Sequence, residues 1–174
     1  MKKTKENEKL LNMVYAGLFA AMTALLTATL HIPVGSGYIH CGDAVIYLAA
    51  AVLPVPYAVS ASAVGGMLAD LLSGYPMYAL PTFIIKALLA LTFSLIGGEH
   101  RLCTKRVAAM VVCGIVSVIG YWITAVLLYG GWTAQFLGTV PGNCIQAVGS
   151  GIVYAVIAMA LERMHNTNTD LKMM

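Results

Sequence analysis

Asp43, Asp70 and Lys86 are the residues whose types and positions could do chemistry, because each sits at or inside an otherwise apolar run. Asp43 opens such a run and Asp70 lies near the end of the next. Lys86 falls about five residues into a third, roughly 7–8 Å below its start at helical rise. Ionisable groups at that depth are costly in hydrocarbon and face a protein interior or a water-filled cavity, paired with one another. One reading is a binding cavity. The other is that Lys86 snorkels outward, or that a buried Asp70–Lys86 pair only fixes helix packing. Asn143, Gln146 and Ser150 follow i, i+3, i+7 spacing and share one helix face. Their amides are both donors and acceptors, which suits the edge of a neutral heterocycle, although hydrogen bonds between helices would use the same atoms. Tyr38, His40, Tyr75, Tyr78, Trp132 and Gln135 fall in the segments between apolar runs. Rings at such positions form either a ligand platform or an interfacial belt. Convergence with three ionisable groups favours the platform for Tyr38, Tyr75 and Tyr78.

The elements that position these residues follow from composition. Of 174 residues, 60% are hydrophobic and 10% charged, and the mean hydropathy is +0.84. A soluble domain carries about 25% charged residues, so the deficit places the chain in a membrane. The net charge of +3 is no nucleic-acid signature, since the basic residues sit at the ends of apolar runs. The expected fold is an all-α integral membrane protein of six transmembrane helices forming a single domain: about 10–30, 43–53, 57–72, 82–97, 107–129 and 142–163. The first helix shows no small-residue cleavage pattern and is expected to be retained. Residues 43–72 are apolar for longer than one span needs, and Leu53-Pro-Val-Pro56 divides them into two short helices. Residues 31–43, 73–81, 97–106 and 130–141 are expected as loops, because their Gly, Pro and polar content is too costly to expose to lipid.

Basic residues set the orientation. Lys2, Lys3, Lys5 and Lys9 precede helix 1; Arg101, Lys105 and Arg106 separate helices 4 and 5; Arg163 and Lys172 follow helix 6. Nine of the ten basic residues thus share one side if both termini are cytoplasmic, and the tenth is Lys86.

Ala16, Ala20, Ala24 and Ala28 repeat at four-residue spacing along helix 1. Such a stripe lets another helix backbone approach closely, whether from a partner or from the same chain. Cys41, Cys103, Cys113 and Cys144 form no CxxC or Cys/His array, so neither a disulfide framework nor a metal site is expected. No GxxxxGK[ST] is present, so any ATP chemistry belongs to a partner. An intramembrane enzyme would need a catalytic constellation inside the helices, where Lys86 stands without one. A non-transporting assembly subunit is the third class, and it would gain no stability from a ligand.

The stretches Gly37-Tyr-Ile-His-Cys-Gly-Asp43, Gly65-Gly-Met-Leu-Ala-Asp-Leu-Leu-Ser-Gly-Tyr75 and Ala79-Leu-Pro-Thr-Phe-Ile-Ile-Lys86-Ala resemble the substrate-specific S component of energy-coupling factor (ECF) transporters. They are most similar to the riboflavin-type or hydroxymethylpyrimidine-type branch. The likeness covers helices 1 to 4; helices 5 and 6 match only in length and hydropathy. It implies a protein that binds a vitamin-like or modified-nucleobase heterocycle from outside, with residues 31–43 as a gate and no cofactor of its own. It also implies a module of two ATPases and a transmembrane coupling subunit, docked on the alanine stripe of helix 1. Nickel and cobalt members need His after the initiator Met; here the residue is Lys2, which argues against a metal substrate. The implied ligand site is Tyr38, His40, Asp43, Asp70, Tyr75, Tyr78, Lys86, Trp132, Asn143 and Gln146.

Overall fold

Long apolar runs become long helices, and the prolines and glycines decide where they stop. The computed structural model describes residues 2–34, 37–98 and 102–173, with side chains described for 4–33, 38, 40–98 and 102–164. Arg101 lies outside the described residues, as do the side chains of Lys2, Lys3 and Lys172. The element order is α1 (Lys2–Thr29), β1 (His31–Val34), β2 (Gly37–His40), α2 (Asp43–Val52), α3 (Val55–Leu72), a single 3-10 turn (Pro76–Tyr78), α4 (Ala79–Ile96), α5 (Thr104–Tyr129) and α6 (Trp132–Met173).

Five of these helices, all but α2, are long and apolar enough to cross a membrane. With ten residues, α2 extends only about 15 Å, roughly half a hydrocarbon core. It is buried along most of its length, from Asp43 through Tyr47 to Ala49 and Ala50. That is the environment of a helix apolar on every side. Leu53 is extended because Pro54 follows it, and Pro56 falls in the first turn of α3, where a missing N–H costs no helix bond.

Several boundaries differ from the sequence expectation. Residues 31–40 form an antiparallel hairpin, His31 opposite His40 and Pro33 opposite Tyr38, where a loop was expected. Ladder bonds pair the backbone groups that face across the hairpin, and Gln146 and Ser150 take the N–H and carbonyl of His40. Helix α4 begins at Ala79, three residues early, because Pro81 is tolerated in a first turn that has orphan N–H groups anyway. The expected loop 130–141 shrinks to Gly130-Gly131, both left-handed at φ 71° and 74°. Helix α6 then runs through Pro141. Near that proline Thr139 Oγ1 donates to the Gln135 carbonyl at 2.7 Å and Asn143 Nδ2 to the Thr139 carbonyl at 2.9 Å. Finally, α1 starts well before Leu10.

Helix α3 packs against α1 and α4, and α5 against α4 and α6, while α2 is enclosed mainly by α4 and α6. The core lies where α2, α4, α5 and α6 meet. Tyr47 stacks on Phe93 at 4.8 Å, and Tyr154 sets an edge against both rings.

The alanine stripe of α1 is engaged within the chain. Ala24 is 4% exposed and Ala16 packs against the core. A Cβ on Gly65 of α3 would come within 2.7 Å of the Ala20 carbonyl oxygen. Glycine there lets the two backbones meet, so the stripe serves the α1–α3 seam, while Ala16, Ala20 and Ala28 remain half-buried.

Candidate functional site

At the end of the bundle capped by the hairpin, one cavity collects residues from α1, β2, α3, the 3-10 turn, α4, α5 and α6. Eight of the ten expected site residues line it: Tyr38, His40, Asp70, Tyr75, Tyr78, Lys86, Asn143 and Gln146. Asp43 sits just beneath, bonded to two of them. Trp132 is placed elsewhere: it is 63% exposed and packs on Trp122 and Phe136 through Trp122.

The floor is a charge pair. Lys86 Nζ donates to Asp43 Oδ1 at 2.5 Å, and Gln146 Nε2 donates to Asp43 Oδ2 at 3.0 Å. The sequence suggested Asp70 as the partner of Lys86; the α2 N-terminus brings Asp43 closer. Gln146 also accepts the His40 N–H on Oε1 at 3.2 Å. Its amide therefore ties α6 to both α2 and the hairpin. Gly66 allows this floor to form, because a Cβ there would meet Lys86 Cγ at 2.7 Å.

The hairpin is fastened from three sides. Tyr38 donates to Asp70 Oδ1 at 2.6 Å. His40 Nδ1 accepts the Gly42 N–H at 2.9 Å and lies 3.5 Å from Thr27 Oγ1. Ser150 Oγ donates to the His40 carbonyl at 3.5 Å. Burial, reinforced by the charge of Lys86 and opposed by Asp43, pushes the His40 pKa down to about 3. The ring is thus neutral, with its proton on Nε2, as its Nδ1 acceptor role requires. Burial and then Asp70 raise the Tyr38 phenol above its ordinary range, which keeps it a donor.

The wall is aromatic. Tyr38 and Tyr75 lie 5.0 Å apart, Tyr75 and Tyr78 6.5 Å, and Tyr78 and Tyr121 6.5 Å, centroid to centroid. Thr82 Oγ1 and Tyr121 Oη share a hydrogen bond at 3.1 Å. Thr23, Thr27, Thr82, Tyr121 and Thr139 line the cavity without having been anticipated. Thr82 and Lys86, and Thr23 and Thr27, are i, i+4 pairs, so polar pairing along apolar helices was the available signal. Tyr121 carried none, one ring among the apolar residues of α5.

No group of three or more His, Cys, Asp or Glu able to hold a metal converges among the described residues. The site offers hydrogen bonds, flat faces and one satisfied ion pair, the equipment of recognition.

A family model described as ECF-type riboflavin transporter, S component, matches residues 7–163. The chain belongs to this family. A solved structure titled as the S component of a bacterial ECF transporter superposes with a TM-score of 0.71 at 22% identity, covering 91% of this chain and 98% of the other. This gives the fold of the S component. A Pyrococcus woesei protein, described as an uncharacterized protein in a gap 3' region, is 32% identical over 136 residues, 77% of this chain and 88% of the relative. As an S component the chain is a multi-pass membrane protein with a substrate-binding role, the partner of an ECF energising module, and its family is not a class of enzymes.

Proposed function

We propose that this S component captures a small planar heterocycle, neutral or weakly cationic, from outside the cell and delivers it inward on a module of two ATPases and a coupling subunit. Candidate cargoes are a pyrimidine or pyridine vitamin precursor and a deazapurine base or nucleoside of the queuine type. The observation that carries this reading is the hairpin-capped cavity, where two carboxylates, one amine and a run of tyrosines converge. A multiply anionic ligand fits poorly, because two carboxylates share one buried cation. On this reading all six helices belong to the membrane bundle, both termini are cytoplasmic, and residues 31–43 open and close over the ligand. The distribution of basic residues supports that orientation.

Docking on the coupling subunit falls, in this proposal, to the flank of α1 next to the alanine stripe. Gly17 and Ala21 are exposed there, four residues apart, and a Cβ on Gly17 would meet nothing within 4 Å.

A second reading, favoured by the family description, is that riboflavin itself is the cargo. A thermal-shift panel on the purified chain in detergent decides between them, since only a bound ligand raises the midpoint. The panel holds riboflavin, hydroxymethylpyrimidine, nicotinamide, queuine and folate. Stabilisation by a small heterocycle above riboflavin is expected. Stabilisation by folate above all others would refute the charge argument, and no shift with any compound would refute binding.

A further inference from the structure

We propose that the ligand of this cavity carries a positively charged nitrogen, seated between the Asp70 carboxylate and the rings of Tyr38, Tyr75, Tyr78 and Tyr121. This rests on the reading that the cavity is the substrate site, and it narrows the substrate to a heterocyclic cation.

Asp70 is 4% exposed and lines the cavity. Its Oδ1 takes the Tyr38 hydroxyl, while its buried Oδ2 makes no hydrogen bond of good geometry, the Thr82 hydroxyl being the neighbouring side-chain donor. A buried carboxylate oxygen left unpaired is costly, so a donor on the ligand gains more here than at a satisfied group. The other cavity acceptor of that kind, Asp43, is already held on both oxygens by Lys86 and Gln146.

Charge points the same way. Lys86 is drawn down to Asp43 and lies 5.1 Å from the centroid of Tyr121. His40 is neutral. Two carboxyl groups therefore share one ammonium, and the one left without a counter-charge is Asp70.

The surroundings then separate a cation from a neutral donor. Four tyrosines border the same cavity, linked ring to ring at 5.0–6.5 Å. Ring faces carry the negative part of the aromatic quadrupole, and a desolvated cation within about 6 Å of them is attracted. A ring N–H would satisfy Oδ2 alone. A pyridinium, thiazolium or protonated aminopyrimidine satisfies the carboxylate and the rings together.

Matched pairs test this by calorimetry on the full chain in detergent: N-methylnicotinamide cation against nicotinamide, and a 3-methylthiazolium against its thiazole. The cation is expected to bind at least tenfold more tightly than its neutral counterpart. Asp70→Asn should weaken binding of the cation and remove most of that ratio. Should that variant fail to fold, Tyr75→Leu must still reduce the ratio. Equal or tighter binding of the neutral members, or of riboflavin with no effect of Asp70→Asn, overturns the cation and leaves the substrate site standing. Absence of binding by either charge class and by riboflavin overturns both.

Discussion

Lys86 Nζ and Asp43 Oδ1 meet at 2.5 Å with their side chains 2% and 1% exposed, joining the middle of α4 to the N-terminus of α2. Removing one partner strands the other charge in the bundle. Lys86→Ala or Asp43→Ala should each cost roughly 3–5 kcal/mol, and Lys86→Met with Asp43→Leu distinctly less than either single change. Thermal unfolding of the purified chain measures all three. If the double variant is the least stable, the pair contributes net stability and the desolvation argument is wrong.

The α1–α3 seam and the adjacent flank of α1 should respond differently to bulk. Ala24→Leu adds volume where Ala24 is buried and should lower stability by about 1–3 kcal/mol with no partner present. Gly17→Leu adds volume in open space and should leave unfolding and ligand binding unchanged while uptake is lost. Normal uptake by the Gly17 variant would move the docking surface elsewhere.

His40 gives stability a defined pH dependence. Its folded pKa of about 3 lies below the ordinary 6.5. As pH falls through that ordinary value the unfolded chain takes up a proton that the folded chain refuses. The contribution is therefore complete above the unfolded pKa and is lost progressively between the two values, with a slope up to about 1.4 kcal/mol per pH unit. Unfolding midpoints measured between about pH 7.5 and pH 5 should drop more steeply for the natural chain than for His40→Asn. Parallel curves would show that His40 is not the group responsible.

Orientation is accessible to cysteine labelling in a background lacking Cys41, Cys113 and Cys144. A membrane-impermeant reagent added outside should modify Ser73→Cys, in the connection between α3 and α4, and miss Cys103 before α5. The reverse pattern would invert the proposed topology.

Membrane residence, the order of the helices and half of the cavity lining were legible in the sequence, because each rests on local content. Apolar runs must be helical to satisfy their backbone in lipid, and an ionisable residue inside such a run must face protein. Asp43, Asp70 and Lys86 stood out for that reason. Their pairing did not, since whether Lys86 meets Asp43 or Asp70 depends on how α2 tucks between α4 and α6. The hairpin was hidden because ladder bonds form between strands that no single segment specifies. Pro141 read as the end of a loop, yet α6 continues through it with a local hydrogen bond from Asn143 to Thr139. The alanines of α1 announced a close helix contact in any case; only the placement of Gly65 opposite Ala20 decided that the contact lies within the chain. Sequence thus determined which groups could not face lipid, a property of each residue in its own segment. Tertiary structure decided which of them meet, because those distances are set by how separate helices pack.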